Sequence, residues 1–251
     1  MKNDLKEGSA NEVDAGSVDI KSGPMGTLFS VGAHLGYSKS KRHPSAKNYV
    51  FGSKNRVDII DLEKTLVLLN KALDFVYSLA KDGKQILFVG NKYESRKVMA
   101  AAAERIAMPY FAERWIGGAL TNFSEIKKRI AKFEDLLMKK EKGGLDVYTK
   151  KERGRIDKEI ADLNRRFGGI VCMRKLPGAL FVIDSKDEQI AIDEAKVVGI
   201  PVIAICSTDC NIKHVDYPIV ANDSSIESIR FFVDKIVSAY QDALRGKVGR
   251  I

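Results

Sequence analysis

Three side chains in the last quarter of the chain have the types and the spacing of a candidate metal site. Cys206, Cys210 and His214 stand four residues apart, and cysteine and histidine are ligands that zinc prefers. Against zinc, the strand and loop expected here offer no helical face to align the three, and no fourth ligand is evident. Structural zinc sites also use closely spaced pairs. We therefore predict no metal ion at these residues.

Gly90 and Asp184 stand where a nucleotide-binding enzyme carries its phosphate turn and a ribose or metal ligand. Gly90 follows a predicted strand and precedes a predicted helix. The residues after it, Asn-Lys-Tyr-Glu-Ser, contain no glycine-rich fingerprint and no Walker loop. A lone acid such as Asp184 is more often a helix cap. With no defensible catalytic constellation either, the sequence predicts a binding protein without catalytic residues or cofactor.

Positive charge is concentrated in two segments of a chain whose net charge is +9. Residues 37–56 carry six Lys and Arg and no acidic residue, and residues 121–176 carry sixteen against nine. Such concentration is the footprint of a polyanion-binding surface, with nucleic acid the leading candidate. For the longer segment alone, a solvated charged face is an equally good interpretation.

The shorter basic segment is predicted to be an exposed loop, because Pro44 interrupts regular structure in its middle. Tyr49 and Phe51 are expected to anchor it in the core, since they lead into an apolar strand. His34, in the apolar segment before the loop, is expected to pack or cap. The candidates for phosphate contact are Lys39, Lys41, Arg42, His43, Lys47, Lys54 and Arg56.

Alternating strand and helix patterns must position these side chains. The apolar run 85–89 is typical of a strand covered on both faces. Asp61 and either Ser224 or Ser225 are the predicted N-caps of amphipathic helices. Helices are predicted over 25–36, 62–80, 94–106 and 188–198 and after 224, and further strands over 57–60, 109–111, 180–183, 201–205 and 217–220. This alternation predicts an α/β protein with a doubly wound parallel sheet.

The stretch RWIGGALTNF at 114–123 marks a change of periodicity. The apolar residues after it recur at steps of three and four, the spacing of a coiled-coil seam, in two arms separated by Gly143-Gly144. The seam residues are Phe123, Ile126, Ile130, Phe133 and Leu137, then Ile156, Ile160, Leu163 and Phe167. The pattern predicts an antiparallel helical hairpin, a coiled coil, inserted at 119–174 between two parts, 25–118 and 175–245, of the α/β domain.

Composition indicates a globular protein of a reducing compartment. Apolar residues make up 45% and charged residues 30% of the chain, and no apolar run approaches membrane-spanning length. Residues 1–24 lack the apolar region of a secretory signal and are predicted to be a disordered leader, and 246–251 a basic tail. Three cysteines without an export signal favour the cytosol.

Several long blocks, in the right order, resemble the family of ribosomal protein two of the small subunit, the "S-two" family. They cover nearly the whole chain from about residue 25 to 245, so the resemblance is specific. The blocks are VGAHLGY at 31–37, YVFGSKNRVDIIDLEKT at 49–65, ILFVGNK at 86–92, RWIGGALTNF at 114–123, LPGALFVIDSKDEQIAIDEAKVVGIPVIAI at 176–205 and HVDYPIVANDSSIESI at 214–229.

The resemblance implies a flavodoxin-like sheet with a projecting hairpin, in a structural rRNA-binding protein of the small subunit, cytoplasmic or organellar. Family members lie between head and body and help to seat the large mRNA-binding protein one near the mRNA exit. The resemblance implies neither a membrane nor a small-molecule substrate. It adds Arg114 and Asn122, in the stretch 114–123, to the candidate rRNA contacts, and Lys127 and Lys128 join them from the basic outer face of the first predicted arm. These contacts should be mainly positional.

Some residues depart from the family pattern. Tyr37 stands where many bacterial relatives have His, and Ser207 where they have Asp, so a metal site using those two ligands is predicted to be missing. Two other hypotheses stay open. An α/β enzyme that handles nucleotides or sugar phosphates would bind such a ligand saturably, and a free RNA-binding regulator would still bind isolated mRNA.

Overall fold

A computed structural model describes residues 23–145 and 148–246. All but two residues of the predicted leader, and all of the predicted tail except Gly246, lie outside these ranges. The helices are α1 Pro24–Ser30, α2 Leu62–Lys81, α3 Tyr93–Arg105, α4 Phe123–Glu141, α5 Lys150–Phe167, α6 Gln189–Val198 and α7 Ile226–Leu244. The strands are β1 Leu35–Ser38, β2 Val50–Lys54, β3 Val57–Ile60, β4 Ile86–Val89, β5 Tyr110–Phe111, β6 Ala179–Ile183, β7 Val202–Cys206 and β8 Tyr217–Val220.

Five strands form a parallel sheet in the order β5-β4-β6-β7-β8. Counted along the chain within this sheet, the order is 2-1-3-4-5, which is that of flavodoxin-like doubly wound proteins. The predicted parallel α/β sheet is therefore confirmed. The chain reverses its direction of winding between β4 and β6, so the crevice at their carboxyl ends is the switch point where such folds bind ligands.

The side chains of the central strands point alternately to the two faces of the sheet, and each face has its own hydrophobic core. In β4, Ile86 and Phe88 join the core beneath α2, α3 and α7, whereas Leu87 and Val89 join the core that includes α6. Phe181 and Leu180 of β6 divide in the same way. This two-residue alternation explains why these strands are apolar throughout, since neither face meets water.

A second, antiparallel sheet in the order β1-β3-β2 was not expected from the sequence. The predicted helix 25–36 is wrong beyond Ser30, because Gly32 turns the chain at φ +72° and β1 follows. The hairpin between β2 and β3 has a two-residue turn, Asn55 and Arg56, both with positive φ as a type I′ turn requires.

The basic segment 37–56 is more regular than the predicted loop. It contains two short 3-10 helices, Lys39–Lys41 and Pro44–Tyr49, before β2. Tyr49 packs against the core as expected. The same prediction is wrong for Phe51, which is 81% exposed because it lies on the solvent side of β2.

The helices α4 and α5 follow the stretch 114–123 and pack against each other. Ile126, Ile130 and Phe133 of α4 share one core with Ile160 and Leu163 of α5, as the seam pattern predicts. Ion pairs join Lys132 to Glu159 and Lys140 to Asp157 across the two helices. A capping box formed by Thr149 and Glu152 begins α5. The description of the two helices as an inserted coiled-coil hairpin stays a prediction.

None of the helices in the described ranges combines the length and the apolar composition needed to cross a bilayer. The predicted N-caps are confirmed in α2, where the Asp61 side chain accepts from the N–H groups of Glu63 and Lys64, and in α7, where Ser225 accepts from Ser228.

Candidate nucleic-acid interface

The antiparallel sheet and the two 3-10 helices between its strands β1 and β2 display most of the predicted phosphate contacts. Pro44 begins the second 3-10 helix, and the His43 ring caps it by accepting from the Ser45 N–H group. Five basic side chains are exposed, and within the described residues none of them makes a hydrogen bond or an ion pair. They are Lys39, Lys41, Lys47, Lys54 and Arg56. Exposed, unpaired cations are available to an anionic partner.

Arg42 differs from these five side chains because it forms an ion pair within the protein. Its guanidinium donates to both carboxylate oxygens of Asp58, with 2.6 Å between Nε and Oδ2, and also to the Ser53 hydroxyl. Asp58 is fully buried. The hydrogen bond from Arg42 holds the pKa of Asp58 below its usual range. Arg42 therefore neutralises a buried carboxylate on β3.

His43 fixes the 3-10 segment to the parallel sheet. Its backbone N–H donates to the carbonyl of Thr208, just after β7, at 2.8 Å. The Thr208 hydroxyl in turn accepts from the Tyr37 N–H at 2.9 Å. Gly36 is required here, because an added Cβ would lie 2.7 Å from the Thr208 side chain. The basic surface is thus held rigidly against the carboxyl edge of the sheet.

The stretch 114–123 forms a nest around one carboxylate, that of Glu194 on α6. Glu194 accepts from the Trp115 indole at 3.0 Å and from the N–H groups of Gly118, Leu120 and Thr121 at 2.8, 3.1 and 3.3 Å. Gly118 makes this possible at φ +83°. Burial favours the protonated acid, but these donors outweigh it and lower the pKa of Glu194. Sequence reasoning missed this acid.

The predicted contacts around this nest differ in availability. Arg114 and Asn122 are exposed. The Lys127 ammonium lies over the Phe123 ring, 4.9 Å from its centroid, and Lys128 is paired with Glu125 at 2.6 Å. Arg114 is therefore the freest of the three cations predicted here.

The switch-point crevice is closed by an internal cation. The Lys92 ammonium, just after β4, pairs with Asp184 after β6 and lies 3.0 Å from Asp223 after β8. The Tyr37 hydroxyl lies 3.3 Å from the same ammonium. Burial opposes the charged form of Lys92, but the charges of Asp223 and Asp184 outweigh it and raise the pKa of Lys92.

Two acids in this crevice are hard to ionise. Burial, assisted by the charge of Asp184, raises the pKa of Asp223 to about 7. Burial also raises the pKa of Glu188 to about 7, against the hydrogen bond it accepts from the Asn91 N–H. Asp184 itself adopts φ +66° and accepts from the N–H groups of the turn before α6, so it caps that turn and not the helix.

Among the described residues, the one group close enough to ligate a metal is Asp184, Cys210 and Asp223, whose ligand atoms lie within 4.8 Å of one another. His214, on a separate 3-10 helix, is exposed and outside this group. The Cys206 thiol and burial raise the pKa of Cys210. With the Lys92 ammonium against two of the three ligands, these residues do not fit a metal.

The site is thus that of a binding protein: an α/β sheet whose ligand crevice is filled by its own side chains, beside a rigid surface of unpaired cations. The family described as "Ribosomal protein S2" matches residues 28–243. The curated relatives carry the name "Small ribosomal subunit protein uS2". The protein of Coprothermobacter proteolyticus is 40% identical over 222 residues, 88% of this chain and 83% of its own length.

Further relatives give the same result. The protein of Chlorobium phaeovibrioides is 42% identical over 88% of this chain and 86% of its own length. The protein of Mycolicibacterium paratuberculosis is 40% identical over 90% of this chain and 82% of its own length. The chain belongs to the ribosomal protein S2 family of bacterial type. It is a structural protein of the small ribosomal subunit and not an enzyme, which removes the enzyme hypothesis.

Proposed function

We propose that the chain binds small-subunit rRNA in the bacterial cytoplasm through the unpaired cations of residues 37–56. The observation that carries the proposal is the group of exposed lysines and Arg56 on a sheet anchored to the body by His43. Neutralising phosphates releases counterions, so such a surface binds RNA strongly without reading bases. The proposed contacts are Lys39, Lys41, His43, Lys47, Lys54, Arg56, Arg114, Asn122 and Lys127, with Arg42 and Lys128 contributing their charge from within ion pairs.

We assign the chain two structural parts in this role. The α/β body comprises 25–118 and 175–245, and α4 with α5 forms an antiparallel coiled-coil hairpin inserted at 119–174. The core residues that the two helices share and the ion pairs between them support their pairing as a hairpin. The hairpin extends the basic surface of the body, since its segment holds the second concentration of Lys and Arg.

The chain also helps to seat the large mRNA-binding protein one of the small subunit, near the exit of the message. The support on this chain is an apolar groove of about 690 Å³ beside β1, lined by exposed Phe29, Leu35 and Val57. The Phe29 ring stacks on His34 with 4.2 Å between ring centroids. Exposed apolar grooves of this kind are typical of protein-docking surfaces.

The test of rRNA binding is the double substitution Lys39→Ala/Lys41→Ala, assayed on small subunits depleted of this protein. Each lost phosphate contact should reduce the salt-dependence slope of log K by about 0.7 to 0.9, so binding should weaken and its slope flatten. The matched control is Lys71→Ala/Lys81→Ala on α2, which removes the same charge from another face. Equal losses in both variants would contradict the proposal, because they would report net charge alone.

A further inference from the structure

The apolar groove beside β1, named here the β1 groove, is left uncovered by the described part of the chain. Phe29, Leu35 and Val57 line it and are 58%, 45% and 37% exposed. His34 also lines the groove, and its buried Nδ1 atom has no hydrogen-bond partner among the described residues. Exposed apolar surface and an unsatisfied buried atom both cost free energy. Both features indicate a surface that another segment covers.

The rim of the β1 groove is positive. None of the described residues that line the groove is acidic. The Lys54 side chain lies at the rim, exposed and without an ion pair within the described ranges. Arg56 follows in the turn between β2 and β3. A segment that combines apolar with acidic side chains would therefore match the groove in polarity and in charge.

The leader has this composition in its second half. Residues 13–20 contain the apolar Val13, Val18 and Ile20 and the acidic Asp14 and Asp19, and no basic residue. Val18 and Ile20 stand two positions apart, so in an extended segment their side chains point to the same side. Such a segment can place both on an apolar floor.

The β1 groove is also within reach of these residues. The leader enters α1 at Pro24, and Phe29 lies five residues further along this helix, roughly 8 Å along its axis. The four residues from Ile20 to Pro24 span up to about 13 Å when extended. A short tether also gives a high effective concentration, so that weak contacts suffice for docking within one chain.

We propose that residues 13–20 of the leader dock in the β1 groove of the same chain. Val18 and Ile20 lie on its apolar floor, and the acidic side chains lie at its rim near Lys54 and Arg56. Since the proposed function seats the large mRNA-binding protein one in the same groove, the docked leader competes with that protein. This competition rests on the proposed function, whereas the docking itself does not.

A photo-crosslinking amino acid in place of Val57 tests the docking in the full chain. After irradiation, the monomer band is digested with trypsin and analysed by mass spectrometry. A crosslink to the leader peptide 7–21, which trypsin releases at Lys6 and Lys21, is expected. The same amino acid in place of Val197, which is 79% exposed on α6, is the control and should not reach the leader. Crosslinks that avoid the leader, or that join two copies of the chain, would overturn the proposal.

Two leader variants separate docking from mere proximity. Ile20→Asp places a charge on the apolar floor and removes the burial of a large side chain, which should weaken docking about tenfold or more. The crosslink from position 57 should then be largely lost. Leu5→Asp makes the same change outside the docking segment and should leave the crosslink unchanged. Equal crosslink yields in the two variants would contradict the proposal.

Binding of the purified large mRNA-binding protein one tests the competition separately. The Ile20→Asp chain should bind it more tightly than the Leu5→Asp chain, because the competing segment has been released. Equal, measurable binding by the two variants would overturn the competition. If neither variant binds this protein, its seating in the groove falls, while the crosslinks still decide whether the leader docks.

Discussion

Glu194 and Asp223 are both carboxylates held against the α/β body, but their surroundings act on them in opposite directions. Glu194 accepts from four N–H groups and from the Thr121 hydroxyl, and its pKa is lowered. Asp223, fully buried, shares one ammonium with Asp184, and its pKa rises to about 7. At Asp223 burial is the larger cause and outweighs the shared ammonium, whereas at the half-buried Glu194 the N–H donors outweigh burial.

The two sites therefore contribute to stability in different pH ranges. For Asp223 the folded state holds more protons than the unfolded state between its ordinary pKa and about 7, so the free energy of unfolding falls as pH rises through that range. The pH dependence that Glu194 gives to the free energy of unfolding has the opposite sign. Its contribution is complete above its ordinary pKa and is lost as pH falls through the lowered value.

The largest effect is expected from Lys92→Met, which leaves Asp184 and Asp223 facing each other without a cation. Removing one partner of a buried ion pair costs about 3–5 kcal/mol, measured as the free energy of unfolding in urea at pH 7.5. The exposed Lys97→Met on α3 is the control and should change little. A second variant, Lys92→Met/Asp223→Asn, should recover part of the loss and keeps the comparison measurable if Lys92→Met does not fold. A Lys92→Met protein as stable as the control would contradict the account.

A smaller effect is expected from Glu194→Gln, since the amide retains one acceptor oxygen for the five donors. Trp115 and Leu120 are buried, and leaving a buried donor unsatisfied costs about 1–3 kcal/mol. The Trp115 fluorescence should shift as its indole loses its partner. The loss in free energy of unfolding, relative to the unsubstituted protein, should be largest near pH 7. It should shrink as pH falls below the ordinary pKa of Glu194. The exposed neighbour Asp193→Asn is the control. A loss that is independent of pH would show that shape, not charge, matters at the nest.

The parts of the fold that were predictable depend on neighbours in sequence. The helix α2 follows from its apolar spacing and from Asp61 at its start, and β4 from its continuous apolar run. The antiparallel sheet was missed because its hairpin turns through Asn55 and Arg56, neither of which is the glycine that usually marks such a turn. Phe51 was misplaced for the same reason, since the side of β2 that meets water depends on that turn.

The candidate site was predictable in composition but not in detail. The concentration of cations in 37–56 is visible in the sequence. The sequence does not show that Arg42 donates its hydrogen bonds to the buried carboxylate of Asp58. The contacts of Glu194 with Trp115 and of Lys92 with Asp223 join residues 79 and 131 positions apart. Only the three-dimensional fold brings such pairs together, so no spacing rule could have found them.

The central claim is that this chain is an rRNA-binding component of the small ribosomal subunit. Sedimentation of the tagged protein from a cell lysate through a sucrose gradient tests it most directly. We expect stoichiometric migration with the small subunit and with whole ribosomes, surviving moderate salt because many phosphate contacts act together. A protein found only in the light fractions, with or without bound mRNA, would contradict the claim.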